Sequence, residues 1–348
     1  MKRSQVFFRG CLLGGAIGDA LGWPVEFMKL NEIHRRYGSE GIQDLHISTS
    51  GKAEITDDTQ MTLFTAEGML RAETRGVLKG ICHPPSVVFH AYQRWLLTQD
   101  YTRVEKYEWV YDGWLLEEKE LFASRAPGNT CLSALRSRKQ GSIEEPINNS
   151  KGCGGVMRVA PAGLFYQKER AFKMGAEFAA LTHGHPSGYL SAGALAYLIA
   201  CIIEGQDIEK AVENTIFELE HYENHHECSE LLKKALELSK SNITDIDAIS
   251  QLGEGWVGEE ALAISVYCAL KYQENFKKAL FVAVNHSGDS DSTGAITGNI
   301  LGAFLGIEKI PEEWIELVEL KDVLIQIADD LLIEYNERNV NWDRYPGY

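Results

Sequence analysis

Apolar residues recur at three- and four-residue intervals along most of the chain, the spacing that lines one face of a helix. This pattern, with helix-favouring composition, predicts helices over residues 4–21, 57–75, 84–98, 131–139, 169–182, 187–204, 207–222, 229–239, 258–273, 276–285, 291–305 and 321–337. Only Ile42-Gln43-Asp44-Leu45-His46-Ile47 alternates loosely between apolar and polar, and it reads as a short edge strand. Residues 22–56, 100–130, 140–165 and 241–257 break the pattern and read as loops. The expected class is therefore all-α, with at most minor strand content.

Two of these helices carry an unusual regularity. Gly10, Gly14, Gly18 and Gly22 repeat every four residues, and so do Gly294, Gly298, Gly302 and Gly306. Four-residue spacing puts each set along one helix face. A helical glycine costs about 1 kcal/mol against alanine, so a repeated stripe calls for close approach of another backbone. These helices are too polar for membrane dimerisation, and the expectation is two tightly packed central helices. In the helix that follows Asp57, Met61 and Phe64 lie on one stripe and Leu63, Ala66 and Leu70 on another, so that helix is expected to be buried on more than one side.

Composition narrows the class. The 348 residues, 45% apolar and 24% charged, are ordinary for a globular chain, and length alone leaves one large domain or two medium ones. A formal net charge of −16 argues against a nucleic-acid surface and against anionic lipid. Seven dispersed cysteines without a C-x-x-C pair read as reduced thiols in a cytoplasmic protein. The run from Cys11 to Gly18 after Lys2 and Arg3 mimics a signal peptide, but Asp19 interrupts it and no clean cleavage site follows. No segment reaches the ~18 uninterrupted apolar residues of a membrane span.

Two acidic clusters stand at predicted helix starts: Thr56-Asp57-Asp58-Thr59 and Asp289-Ser290-Asp291-Ser292. Capping is the simpler explanation for each alone, since Thr, Ser and Asp are preferred N-caps and acidic first turns suit the helix dipole. Capping needs one or two such residues, however, and the two clusters hold four carboxylates plus hydroxyls. Hard oxygen donors of this kind favour Mg²⁺, Mn²⁺ or Ca²⁺ over zinc. No glutamate follows Asp289 at the offset a twelve-residue calcium loop needs.

Weaker candidates surround them. Glu26 lies in the turn Gly22-Trp23-Pro24-Val25-Glu26-Phe27, where apolar neighbours can raise a carboxyl into the acid–base range, although a surface loop glutamate is the commoner case. Ser150-Lys151-Gly152-Cys153-Gly154-Gly155-Val156-Met157-Arg158 is a glycine-rich loop able to cradle phosphate oxygens, with Arg158 nearby. Arg125-Ala126-Pro127-Gly128-Asn129-Thr130 is a second tight loop before a helix. Thr182-His183 can set an imidazole against a ligand. His221, His225, His226 and Cys228 match no standard zinc spacing. Cys153 has no basic partner in the sequence that would mark it as a nucleophile.

Taken jointly and in order, the segments Gly10–Gly22, Thr56–Thr59, Gly152–Arg158, Thr182-His183 and Gly288–Ser292 resemble the ADP-ribosylglycohydrolase family, including the dinitrogenase reductase-activating glycohydrolases. The resemblance implies a single all-helical domain over residues 1–348, an orthogonal bundle with a cleft that holds two Mg²⁺ or Mn²⁺ ions. It implies metal ligands at Thr56, Asp57, Asp58, Asp289, Asp291 and Ser292, with Ser292 where many members have threonine. It matches Glu26 to the glutamate near the scissile bond, with Asp58 and Asp291 as catalytic partners. It matches Gly128, Ser150, Gly152, Gly154 and Gly155 to loops around a diphosphate, and His183 to a ligand contact. Cys153 takes a place often held by asparagine. The implied activity removes ADP-ribose from a modified protein, foremost at arginine. Serine-linked, nucleic-acid-linked or O-acetyl ADP-ribose are alternative substrates. A binding protein that occludes an ADP-ribosyltransferase toxin and a structural calcium-binding domain are alternatives of other classes. The expected protein is a monomer that binds no membrane. A site shared by Thr56 and Ser292 would draw distant parts of the chain together, which favours one domain over two.

Overall fold

The computed structural model describes residues 1–337 and 342–347. Its α-helices run in the order α1 Gln5–Gly22, α2 Leu30–Tyr37, α3 Asp57–Lys79, α4 Pro84–Thr98, α5 Asn129–Arg136, α6 Ala160–Phe165, α7 Lys168–Ala180 and α8 Pro186–Ile203. They continue with α9 Ile208–Leu219, α10 His226–Ser239, α11 Asp245–Leu252, α12 Gly258–Lys271, α13 Phe276–Val284, α14 Ser290–Leu305, α15 Glu312–Leu317 and α16 Lys321–Glu337. Among the described residues there is no strand, only isolated bridges such as Ile47 with Ala53 and Ala53 with Val318. The protein is all-α.

The expected edge strand at 42–47 does not form. Ile42 donates its N–H to Asn285 Oδ1 at 2.8 Å and accepts from Asn285 Nδ2 at 2.9 Å, so one side chain satisfies the groups a neighbouring strand would have paired. Leu45 donates to the adjacent Asp44 carboxylate. Four helices, α2, α6, α11 and α15, lie where the pattern predicts none. Each has eight residues or fewer, too short for an apolar stripe to repeat.

The glycine stripes face each other. Helices α1 and α14 pack with Gly10 against Gly302, Gly14 against Gly298 and Gly18 against Gly294. A Cβ added at any of these six positions would fall inside van der Waals contact with the opposing carbonyl oxygen. Asn299 seals the seam by donating Nδ2 to Cys11 O at 2.8 Å. The contact runs antiparallel, so the C-terminal end of α1 meets the N-terminal end of α14. At that end Gly22 lies against Ser290.

Helix α8 is long and apolar enough to cross a membrane by length and mean composition, although Ser187 and Ser191 interrupt its apolar run. It is buried within the fold against α6, α7, α9 and α12, and this packing accounts for its apolarity.

Candidate active site

Both acidic clusters do cap helices, but capping uses only part of them. At the start of α3, Thr56 Oγ1 accepts from Asp58 N at 3.3 Å. The next free donor, Thr59 N, is met from outside the helix by Asp19 Oδ2 at 3.1 Å. Asp19 also accepts from Thr56 N at 3.1 and 3.0 Å through its two oxygens, and from the Thr59 hydroxyl. With Thr56 and Asp19 as caps, the carboxylates of Asp57 and Asp58 are left over. At the start of α14, Asp289 accepts from Ser292 N at 3.2 Å, and Asp291 Oδ1 accepts from the same N–H at 2.9 Å. Asp289 N is itself fixed by Glu254 O at 2.9 Å. Gly288 precedes it at φ +132°, a conformation L side chains rarely adopt.

Because α1 holds α14 by the glycine seam and holds α3 through Asp19, the two helix starts and the turn after α1 converge. Glu26, Asp289 and Asp291 each offer a carboxylate oxygen within 4.8 Å of the others. Asp57 and Asp58 stand beside them on the same cleft, whose volume is about 520 Å³. Asp57 Oδ2 accepts from Gly128 N at 3.2 Å. Asp58 Oδ2 and Glu26 Oε2 are buried oxygens without a hydrogen-bond partner.

So many carboxyls in so little water cannot all ionise unaided. Burial, followed by the charges of Asp289 and Asp57, pushes Glu26 up to about 9. Burial pushes Asp57 up to about 8, with the Gly128 N–H opposing. Asp58 and Asp291 are driven well above the carboxylate range, by burial first and then by the negative charges around them. Divalent cations would resolve this arrangement, since they supply positive charge and can occupy bare buried oxygens. The donor set, almost wholly carboxylate and hydroxyl, fits hard cations. Asp57, Asp58, Asp289, Asp291 and Ser292 line the cleft, whereas Thr56 lies fully buried behind them with its hydroxyl engaged in the cap.

The cleft walls come from the predicted loops. Gly128, Gly152 and Gly154 line it. A Cβ on Gly154 would meet His183 Cε1 at 3.0 Å and Cys131 Sγ at 2.9 Å, so bare backbone is required there. Ser150 sits one layer back, accepting from Gly152 N at 3.3 Å and bonded to Thr130 Oγ1 at 3.1 Å. Gly155 also faces away, against Ala179 and Gly188. His183 is buried at the cleft wall, and burial followed by the Arg158 charge lowers it to about 3, so its imidazole is neutral. Thr182 Oγ1 accepts from Arg158 Nη2 at 2.7 Å and lies 2.8 Å from His183 Nδ1. The other ring nitrogen, Nε2, lies on the side of Gly152 and Gly154, where it can meet a ligand in the cleft.

Both arginines of the candidate anion loops turn away from the cleft. Arg158 is fully buried, bonded to Phe178 O and Thr182 and stacked 4.3 Å from the Tyr92 ring centre. Arg125 pairs with Glu319 at 2.5 Å and donates to Ile55 O at 2.7 Å, bracing the residue before Thr56. The histidine and cysteine stretch at 221–228 assembles no metal cluster among the described residues. Cys228 Sγ is turned to Ser187 O.

Three residues that build the site escape sequence reasoning. Asp19 reads there only as the break in an apolar run, although a charge amid a buried glycine stripe is itself a signal. Phe27 and Trp256 stack at the cleft mouth with ring centres 5.3 Å apart and planes 20° from parallel. Both are exposed, and Phe27 adopts φ +64°. Nothing in either residue's local sequence brings the two together.

Comparison with known proteins agrees with this geometry. The family model described as ADP-ribosylglycohydrolase matches residues 3–341. The ADP-ribosyl-[dinitrogen reductase] glycohydrolase of Rhodospirillum rubrum is 25% identical over 90% of this chain and 90% of its own length. The ADP-ribosylarginine hydrolase Tri1 of Serratia proteamaculans is 25% identical over 93% of this chain and 78% of its own. A solved structure titled ADP-ribosylglycohydrolase-related protein complex shares the fold, with a TM-score of 0.59 at 22% identity over 96% of this chain and 99% of that one. With the match running nearly end to end, the chain belongs to the ADP-ribosylglycohydrolase family.

Proposed function

We propose that this cleft hydrolyses the bond between ADP-ribose and an arginine side chain of a modified protein, with two Mg²⁺ or Mn²⁺ ions in the acidic cluster. The observation that carries the reading is the convergence of Glu26, Asp57, Asp58, Asp289 and Asp291 on one cleft beside a glycine-lined wall. Asp57, Asp58, Asp289, Asp291 and Ser292 would hold the cations, which supply Lewis acidity at the reacting ribose.

The protein's own groups do the rest. The charge of the cations would bring Glu26 back to its ionised form, and its Oε2, free of any hydrogen-bond partner, orients the attacking water and takes its proton. Water adds to the anomeric carbon as the carbon–nitrogen bond breaks, and the proton is returned to the departing guanidine. Gly152 and Gly154 let backbone approach the diphosphate closely, and His183 Nε2 meets the same ligand. Arginine suits the mouth, where the Phe27 and Trp256 rings and the carboxylate of Glu26 face a departing planar cation. The name of the Tri1 relative points the same way.

Release of ADP-ribose from a panel of defined linkages tests this reading. Arginine-linked substrate should be cleaved, and Asp58→Ala and Asp291→Ala should each abolish cleavage. Full activity in both variants with metal chelated would overturn the metal assignment. Preference for a serine-linked or nucleic-acid-linked substrate would overturn the arginine assignment alone.

A further inference from the structure

We propose that Cys153 adds a sulfur donor to the acidic cluster, so that the cleft takes thiophilic divalent cations of the Zn²⁺, Co²⁺ and Cd²⁺ class through a mixed sulfur–oxygen site. This rests on the reading of the cluster as a cation site. It adds a ligand where the resemblance to the family expects an asparagine.

Cys153 opens the short turn Cys153–Gly155. Its backbone is held on both sides. Its N–H donates to Trp256 O at 3.2 Å, and its carbonyl accepts from Val156 N at 2.9 Å and Met157 N at 3.2 Å. The side chain is thereby set into the cleft, where Sγ lies 2.8 Å from Asp289 Oδ2 and 3.7 Å from Ser292 Oγ. Asp289 and Ser292 are two of the oxygen donors assigned to the cations. A second observation points to a ligand in the same cleft. Asp58, only 3% exposed, lines this cleft with Oδ2 unpartnered.

Zinc–sulfur and zinc–oxygen bonds are about 2.3 and 2.1 Å long, so a sulfur and an oxygen this close can grip one ion after a small side-chain rotation. On binding, the sulfur–hydrogen bond breaks, its proton leaves to solvent and a sulfur–metal bond forms. The Asp289 oxygen that had accepted the S–H is released to the same ion. A lone thiolate among carboxylates shifts preference from Mg²⁺ toward softer ions, because sulfur binds these more strongly. The remaining thiols do not compete for the site. Cys131 reaches the cleft wall but its sulfur accepts from Arg158 Nη1, and Cys82 lines a separate surface hollow beside Trp109.

The test uses the full chain stripped of metal by chelation and titrated with Co²⁺, with bound metal counted by equilibrium dialysis. The wild type should show visible cobalt bands together with a thiolate-to-cobalt charge-transfer band in the near ultraviolet. Cys153→Ser should bind Co²⁺ without the charge-transfer band, and Cys82→Ser should keep it. Cd²⁺ affinity should fall at least about tenfold in Cys153→Ser, with Mn²⁺ affinity changed far less. Co²⁺ bound by the wild type without the charge-transfer band overturns the sulfur donor and leaves the oxygen site standing. A band retained in Cys153→Ser overturns it as well. Absence of both Co²⁺ and Mn²⁺ binding in the wild type overturns the cation site itself. Should the serine variant fail to fold, Cys153→Ala gives the same comparison, and the wild-type spectrum decides by itself whether sulfur binds.

Discussion

Asp19 accepts the backbone N–H of Thr56 through both carboxylate oxygens, at 3.1 and 3.0 Å, although 37 residues separate the two. Through this bond and its bonds to Thr59, α1 supplies the cap of α3 and sets the direction in which Asp57 and Asp58 point. Asp19 is itself wholly buried, and burial raises it to about 6 despite these donors. Replacing it with alanine strands two buried N–H groups at roughly 1–3 kcal/mol each and frees the start of α3 to shift. Asp19→Ala should therefore lower Mn²⁺ affinity by about 10–100-fold, the range typical of lost outer supports at metal sites. Titration calorimetry checks this, and an unchanged affinity would show that Asp19 serves stability alone.

The glycine seam makes a sharper claim about packing. Gly298→Ala would drive a methyl group into the carbonyl of Gly14, and both atoms belong to helix backbones that cannot step aside singly. Overpacking of this kind costs roughly 1–3 kcal/mol and more where backbone must move. Gly76, also helical, has nothing nearer to its added Cβ than Cys82 at 3.8 Å. There alanine should stabilise by up to about 1 kcal/mol. Denaturant unfolding of the two variants should give shifts of opposite sign, and equal shifts would mean that the seam is looser than these distances imply.

The seam and the caps are legible in the sequence because both repeat a local rule. Glycines at a four-residue interval admit few explanations, and Thr-Asp-Asp exceeds what a cap needs. Relations set by tertiary packing are not legible. Arg158 follows a glycine-rich loop as a phosphate-binding arginine would, yet it is turned inward to Thr182 and Tyr92. Arg125 likewise turns to Glu319, far away in the chain. The strand pattern at 42–47 is real as a pattern, but Asn285 takes its backbone bonds. Helix α11 announces itself only through Thr244, which caps Asp247 N at 3.2 Å, in a stretch too short to show a stripe.

Crowded carboxyls predict how metal removal should act. Without cations, Asp58 and Asp291 are forced upward by burial and by neighbouring negative charge, which destabilises the folded state. Saturating Mn²⁺ at about one hundred times Kd should raise wild-type stability by about 2.7 kcal/mol. Replacing both residues, as in Asp58→Asn with Asp291→Asn, should abolish that gain. The same double variant without metal should be more stable than the metal-free wild type, because neither residue then has to take up a proton on folding to avoid a buried charge. Thermal melts with and without chelator read both effects. A double variant less stable than the metal-free wild type would contradict the view of the cluster as a site strained until cations arrive.

His183 predicts an acid sensitivity of definite sign. Its folded value is lowered to about 3 from an ordinary 6.5, by burial and then by Arg158. A depressed folded value means that the unfolded chain takes up a proton first as pH falls. Stability is therefore intact above about pH 6.5 and lost progressively between there and about pH 3. The loss attributable to His183 is on the order of 2–3 kcal/mol by about pH 4.5, since each tenfold rise in proton concentration below pH 6.5 is worth about 1.4 kcal/mol. His183→Gln keeps a polar group beside Thr182 but cannot protonate. It should lose correspondingly less stability than the wild type over the same span. Two other depressed histidines, His90 and His286, remain in both proteins, so their contributions cancel in the comparison. Urea unfolding at a series of pH values gives the two curves. Parallel curves would mean that His183 takes up its proton at the same pH in the folded and unfolded chain, and that burial beside Arg158 does not hold it neutral.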